Sequence, residues 1–226
     1  MRRPTPEQLG LTAAEFRRLA ALETPARIQR FLDRIPSNFE FGGETVLPVR
    51  EVLKQRRAHC IEGAFVAACA LWVAGERPLV MYLKAVDDYH HVITLFRRGR
   101  CWGAISKTNA VYLRYRDPIY RTVRELALSY AHEYANGEGK RTLRAFSNPF
   151  DLSRITPSKW VSSERDCWEL HDKLYDLPHT RLMSSAQARH LAQFDWFQRE
   201  AGKRLEHAKP VRAGRIAHWT KSKKSA

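Results

Sequence analysis

Acidic side chains are in short supply in this 226-residue chain: 24 Asp and Glu stand against 39 Lys and Arg, a formal charge of +15. No stretch has the run of acidic oxygen ligands that a calcium loop requires. Cysteine is scarce as well. The four thiols, Cys60, Cys69, Cys101 and Cys167, lack paired metal-ligand spacing and are too few for a disulfide framework at this length. A reducing, cytoplasmic setting with free thiols is therefore expected. Long hydrophobic runs are missing too. The longest, Ala64 to Ala74, falls short of the ~20 residues that cross a bilayer, so no membrane span is expected. The start Met1-Arg2-Arg3-Pro4 leads into no apolar segment, so a secretory leader is not expected either. No internal repeat is visible.

What is present suffices for a folded core: 44% of residues are hydrophobic and 11% aromatic. The length suits one domain with a decorated end. Cationic pairs such as Arg56-Arg57, Arg97-Arg98 and Arg114 with Arg116 read as solvated turns and flanks, and the excess is densest late, from Lys203 and Arg204 through Lys209, Arg212, Arg215, Lys221, Lys223 and Lys224. Such a surface attracts phosphate polymers by its long-range field, and it also serves plain solubility.

Residues 1–10 read as loose. Thr12 with Glu15 forms a capping-box pattern that predicts a helix to about Leu22, and Thr24-Pro25 starts a second helix with Ile28, Phe31, Leu32 and Ile35 on one face. Val49 to Gln55 is a short helical turn. Cys60 to Ala74 has small apolar residues on several sides, the pattern of a buried helix, and Gly75 stops it. Strands are predicted at Leu79–Ala85, His91–Phe96 and Cys101–Ile105, with Val111–Tyr115 as a fourth. Tyr120–Tyr134 reads as a helix, residues 140–160 as irregular, and Trp168–Leu174 and Ser184–Ala201 as helices. The fold class is α+β, a cysteine-bearing helix on an antiparallel sheet with extra helices at both ends. The expected division is a core over 1–140, a helical extension over 141–202 and a flexible basic tail over 203–226.

The chemistry concentrates in two places. Cys60 opens a helix and follows Arg56 and Arg57, and both features favour thiolate, the nucleophilic form. Cys69, Cys101 and Cys167 lie inside elements and read as structural. His90 and His91 are adjacent, so on a strand they face opposite ways. His91 opens the apolar alternation and is the candidate partner of Cys60. Asp87, Asp88, His90 and His91 sit on one short turn, which does not make a metal site. A catalytic imidazole needs an acceptor at its far nitrogen, and the third predicted strand leads into Ser106-Lys107-Thr108-Asn109.

Over about residues 50–110 these features together resemble the transglutaminase-like superfamily, which has the papain-type cysteine architecture, and the whole chain is similar to bacterial members of that group. The resemblance rests on Cys60, the Ala67–Leu71 run, Gly75, the Leu79–Leu83 strand, His91 leading a strand and Trp102 leading the next. Four residues after that tryptophan the family carries aspartate, and this chain carries Ser106. Ser106 through its hydroxyl, Asn109 as in papain-like enzymes, or Asp117 further on are the candidates for the third member. The remaining alternative is a degenerate site.

The resemblance implies that Cys60 attacks an amide or ester carbonyl and that His91 holds the thiolate and protonates the leaving group. The Cys60 N–H is the first oxyanion donor and Gln55 the candidate second, since papain-like enzymes place a glutamine before the cysteine. Glu62 reads as a favourable charge in the first helical turn. No cofactor is implied, and the partner would be a protein, peptide or other amide substrate, with hydrolysis and transamidation both open. Two rival readings stand beside this one. One is a binding protein that kept the fold without the chemistry. The other is nucleic-acid contact through the basic surface, where Tyr112-Leu113-Arg114-Tyr115-Arg116 and Trp219-Thr220-Lys221 interleave aromatics with cations.

Overall fold

The computed structural model describes residues 1–210 of the chain. Its helices are α1 (Pro6–Leu9), α2 (Ala13–Ala20), α3 (Pro25–Asp33), α4 (Val49–Gln55), α5 (Cys60–Val73), α6 (Val123–Ala131), α7 (Trp168–Tyr175), α8 (Ser185–Arg189) and α9 (Trp196–Gly202). Its strands are β1 (Leu79–Ala85), β2 (His91–Arg98), β3 (Cys101–Ile105), β4 (Arg116–Tyr120), β5 (Leu143–Ser147), β6 (Phe150–Asp151) and β7 (His179–Arg181). The strands form one sheet in the order β4-β3-β2-β1-β5-β7, with β6 also on β1, and every named pairing is antiparallel. The protein is therefore α+β with an open antiparallel sheet.

Helix α5 is apolar on all sides because it is covered on all sides. One flank lies on the sheet face formed by Val80, Tyr82, Val92, Phe96 and Ile105, and the other packs under α2, α3 and α4 through Leu19, Ile28, Leu32, Val52 and Leu53. Burial of each such Leu, Ile or Phe contributes about 1.5–3 kcal/mol. The Thr94 hydroxyl, on the same sheet face, donates to the Ala64 carbonyl at 2.8 Å, which fixes α5 along β2. The opposite sheet face, with Met81, Leu83, Ile93, Leu95 and Ala104, is covered by Leu126, Ala127 and Tyr130 of α6.

The capping signals place α2 and α3 as read: Thr12 and Glu15 close a reciprocal box, and the Thr24 hydroxyl accepts from the Arg27 N–H. Four expectations need correction. Residues 1–10 contain α1, because Thr5 and Gln8 form a second capping box around Pro6 and seat Leu9 in the core. Val111–Tyr115 is not a strand. Leu113 adopts a positive φ of 62°, which breaks an extended run, and the fourth strand is Arg116–Tyr120, where Pro118 is tolerated at the sheet edge. The Ser184–Ala201 helix is two short helices, separated where the Phe194 N–H turns to the Gly139 carbonyl and Asp195 caps a new start.

The fourth correction concerns the domain boundary at 140. Residues 140–160 supply β5, which lies directly between β1 and β7, so the segment after 140 completes the core sheet instead of forming a helical extension. Part of the expected flexible tail is also seated. The Asn109 side chain clips His207 at both of its backbone groups, and the Glu206 N–H donates to the Asn109 carbonyl. The rest of the basic tail, including Arg212, Arg215, Trp219, Lys221, Lys223 and Lys224, lies outside the described residues. Among the described residues no helix is long and apolar enough to cross a membrane.

Candidate active site

The site is built at the start of α5. His59 is the N-cap, with extended backbone, and Glu62 at the third helical position reaches back to accept from the His59 N–H at 2.9 Å. Glu62 is fully buried yet well supplied with donors: the Leu47 N–H at 3.0 Å, the Thr45 hydroxyl at 2.7 Å and the Asn38 amide at 3.1 and 3.2 Å. These donors leave the side chain a single well-defined position at the helix start. Glu62 ties the loop before α4 to the first turn of α5 and so fixes where Cys60 begins.

Cys60 is half-buried, its sulfur 4.0 Å from the His90 carbonyl, and the imidazoles of its neighbour His59 and of His91 are close enough to act on its charge. Burial alone would push the thiol up. The hydrogen bonds and positive charge of His59 and His91 outweigh it and hold the thiol well below the usual cysteine range. Among the other thiols, burial raises Cys69 and takes Cys167 to about 12. Cys60 therefore differs from both in having cationic neighbours.

His91 opens β2, and its side chain is 5% exposed. The ring Nε2 lies 2.8 Å from the Ser106 hydroxyl oxygen. The Ser106 hydroxyl donates its own proton to the Leu113 carbonyl at 2.5 Å, since a carbonyl can only accept. Ser106 must therefore accept from His91, which puts the proton on Nε2 and leaves Nδ1 for the sulfur. Ser106 is held in turn by Gln29 on α3, whose side chain accepts from the Ser106 N–H at 2.9 Å and donates to the Ser106 carbonyl at 2.8 Å.

His59 is anchored differently. Its Nε2 meets the Thr45 carbonyl at 2.8 Å and lies 3.4 Å from Glu62 and 3.5 Å from Glu40. Burial disfavours its charge, but contact with Cys60 and the charges of Cys60 and Glu62 raise it to about 10. The sulfur thus has one imidazole tied to carboxylates and a second tied to a neutral hydroxyl.

Cys60 opens into a groove of about 470 Å³ bordered by Glu40, His59, Tyr82, Tyr89, His90 and Trp168. The turn over this groove is pinned: the Tyr134 hydroxyl donates to the Tyr89 carbonyl at 2.5 Å and the Thr142 hydroxyl to Asp88 at 2.6 Å. His90 packs its ring against Tyr82 and Tyr175 and accepts from the Ala85 N–H at 3.2 Å. Burial, followed by the charges of Lys84, His179 and His171, keeps its pKa below the ordinary histidine value. His91 does not line the Cys60 groove but a second cavity, of about 580 Å³, that Tyr112, Phe194 and Trp196 also line and that shares Tyr89 and His90 with the first.

The residues read from the sequence divide clearly. Cys60, His91 and Ser106 are brought together. Gln55 is exposed on α4, its amide donating to Glu51 and accepting from Arg57, and it does not line the Cys60 groove. It is not an oxyanion donor, because α4 ends and the chain turns through Arg56 in the left-handed region before the cysteine. Asn109 is not the third member either, since both ends of its amide are engaged by His207. Asp117 is exposed on β4. The Cys60 N–H, first of α5, has no intrahelical acceptor.

The roles of His59 and Gln29 were not visible in the sequence, and Glu62, read there as a charge in the first helical turn, also ties the preceding loop to the helix. For Glu62 a signal existed, its spacing of three from the helix cap. Gln29 lies 77 residues before Ser106 and carries no local mark. No protein-family model matches the chain, and no curated protein matches it.

Proposed function

We propose that the protein is a cysteine acyl-transfer enzyme of transglutaminase-like type, with Cys60 as nucleophile, His91 as general acid and base, and Ser106 orienting the imidazole. The observation that carries the reading is the position of Cys60: at the start of a buried helix, open to a groove, with its thiol held well below the usual cysteine range against the effect of burial by His59 and His91. The partner is a protein, peptide or other amide substrate, whose carbonyl enters that groove.

In the first half, the Cys60 thiolate attacks the carbonyl carbon, and the π pair moves to oxygen, where the Cys60 N–H donates to the oxyanion. The oxyanion collapses, the C–N bond breaks, and His91 gives its proton to the departing amine, leaving a thioester on Cys60. In the second half, water or an amine attacks the thioester while His91 takes the proton, and the thiolate leaves. His59 remains protonated throughout as the counter-ion of the sulfur. That standing charge accounts for a site that works with a neutral serine where the family carries aspartate.

The test is alkylation by iodoacetamide at mildly acidic pH with mass mapping of each cysteine. An ordinary thiol, with a pKa of about 8.5, is almost wholly protonated there. Cys60 is expected to label at least tenfold faster than Cys101, the other half-exposed thiol, with Cys69 and Cys167 slower still. Equal slow labelling of all four would favour the reading as a binding protein without chemistry. If Cys60 labels fast, release of ammonia from glutaminyl peptides, with and without an added amine, separates hydrolysis from transfer.

A further inference from the structure

Three arginines border one small cavity at the free edge of the sheet, and none of its lining residues lines the Cys60 groove. Arg144 comes from β5, Arg181 from the edge strand β7 and Arg189 from the end of α8. The cavity holds about 320 Å³ and has Val86 and Met183 as its apolar lining and Ser185 at its rim. No acidic residue borders it.

Six arginines elsewhere among the described residues are matched to a carboxylate, while most of the others are not. Arg27 sits on Glu23, Arg50 on Glu15, Arg77 on Asp151, Arg98 on Glu76, Arg114 on Glu206 and Arg116 on Glu133. Among the described residues, none of Arg144, Arg181 and Arg189 has a carboxylate within ion-pair distance. The one hydrogen bond that their guanidiniums make to the described residues runs from Arg144 to the neighbouring Leu143 carbonyl, at 2.9 Å. Three like charges around a concave surface repel one another and keep most of their N–H donors free. A guanidinium is a planar fork that matches phosphate oxygens two at a time.

We propose that this cavity is a phosphate-binding site, taking the phosphate group of a nucleic-acid backbone or of a small phosphorylated compound. The ligand chemistry follows from the lining: cations that supply paired donors, a hydroxyl beside them and no competing carboxylate. The inference is independent of the acyl-transfer reading, because it uses none of the same residues and predicts binding whether or not Cys60 is reactive.

The experiment uses the full chain with two probes, a fluorescent single-stranded 12-mer RNA followed by anisotropy and inorganic pyrophosphate followed by calorimetry. Two triple variants are compared. R144Q/R181Q/R189Q empties the cavity of charge. R17Q/R30Q/R100Q removes the same net charge from exposed positions elsewhere. Circular dichroism establishes that both are folded, and the exposed single variant Arg189→Gln serves if the first triple is not. The cavity triple is expected to weaken RNA binding at least tenfold and to flatten its salt dependence, by about 0.7 in slope for each phosphate no longer neutralised. The control triple is expected to change affinity less than threefold, and Arg189→Gln alone about threefold. Binding of pyrophosphate that the cavity triple abolishes would identify a small phosphorylated compound as sufficient. Binding of RNA alone would identify the backbone as the source. Equal losses in the two triples would overturn the proposal in favour of a diffuse basic field, and so would no binding of either probe at low salt.

Discussion

The Ser106 hydroxyl stands between His91 and Leu113, accepting from the imidazole at 2.8 Å and donating to the Leu113 carbonyl at 2.5 Å. This pairing explains why the position carries an alcohol. An acceptor for the Nε2 proton is needed on one side and a donor for a carbonyl on the other. A hydroxyl is both at once, whereas an ionised carboxylate only accepts.

Replacing Ser106 therefore gives a counter-intuitive order. Ser106→Ala leaves the buried Nε2–H without its acceptor and frees the ring to turn, so alkylation of Cys60 at mildly acidic pH is expected to slow about tenfold. Ser106→Asp supplies a stronger acceptor for the imidazole, yet sets a carboxylate oxygen against the Leu113 carbonyl. It is expected to unfold at lower urea concentration than Ser106→Ala, by about 1–3 kcal/mol, the cost of an unmet buried polar group. A Ser106→Asp protein more stable and more reactive than the wild type would contradict this account.

His59 gives a pH prediction. The thiolate is present above the depressed pKa of Cys60 and is lost as pH falls through it. In His59→Phe the sulfur keeps only His91 as a cationic neighbour, so the alkylation curve is expected to move toward higher pH. The two proteins should differ at least tenfold at mildly acidic pH and converge above about 9, where an ordinary thiol is also ionised. Thiolate absorbance near 240 nm reads the same transition without a reagent. The folded His59 is raised to about 10, so its contribution to stability is full below an ordinary histidine pKa and fades as pH rises through about 10. Superimposable curves for the two proteins would remove His59 from the site.

Much of this arrangement was legible because it is local. The cysteine-led helix, the strand that His91 opens and the strand that ends before Ser106 each show a continuous apolar pattern, and the predicted spans of β1 and β3 match the structure residue for residue. Helix caps at Thr12 and Thr24 were readable for the same reason: the donors and acceptors lie three residues apart. The misses share the opposite property. β5 places Arg144 among its apolar residues and ends two residues before Pro149, so its pattern carries little weight, and its pairing with β1 makes it a strand. Gln29 holds Ser106 from another helix. Asn109 was available as an orienting amide by type, but the returning chain at His207 took both ends of it. Side-chain type and order are visible in a sequence, whereas competition among distant partners is not.

Gly63 shows how closely the helix and the end of β3 approach. A Cβ placed there would stand 2.3 Å from Cβ and 2.8 Å from Cγ of Lys107, the residue after Ser106. Gly63→Ala cannot be absorbed by a flexible tip, because the atoms it meets are next to the backbone. Overpacking of this kind costs about 1–3 kcal/mol. The expected outcome is a lower unfolding midpoint together with slower Cys60 alkylation, since displacing Lys107 also shifts Ser106. Unchanged stability in Gly63→Ala would show that the helix can move away from β3 freely.

Lys107 carries the last prediction. Its side chain is 2% exposed, and its ammonium donates to the Leu32 carbonyl at 3.0 Å and the Ile35 carbonyl at 2.5 Å, where α3 ends. Burial, partly offset by Glu206 and Asp33, lowers its pKa to about 8. Between about 8 and the ordinary lysine value the unfolded chain binds the proton and the folded chain does not, so stability rises with pH across that window. The gain approaches about 3 kcal/mol when the whole shift is traversed, at 1.36 kcal/mol per pKa unit. Other groups titrate in the same range, so the comparison is with Lys107→Met, which fills similar space without the charge. Relative to that variant, the wild type is expected to gain stability from pH 8 to 10 in urea unfolding. A constant difference across the range would mean that Lys107 stays protonated in the folded protein and that the two carbonyls of α3 hold an ammonium ion.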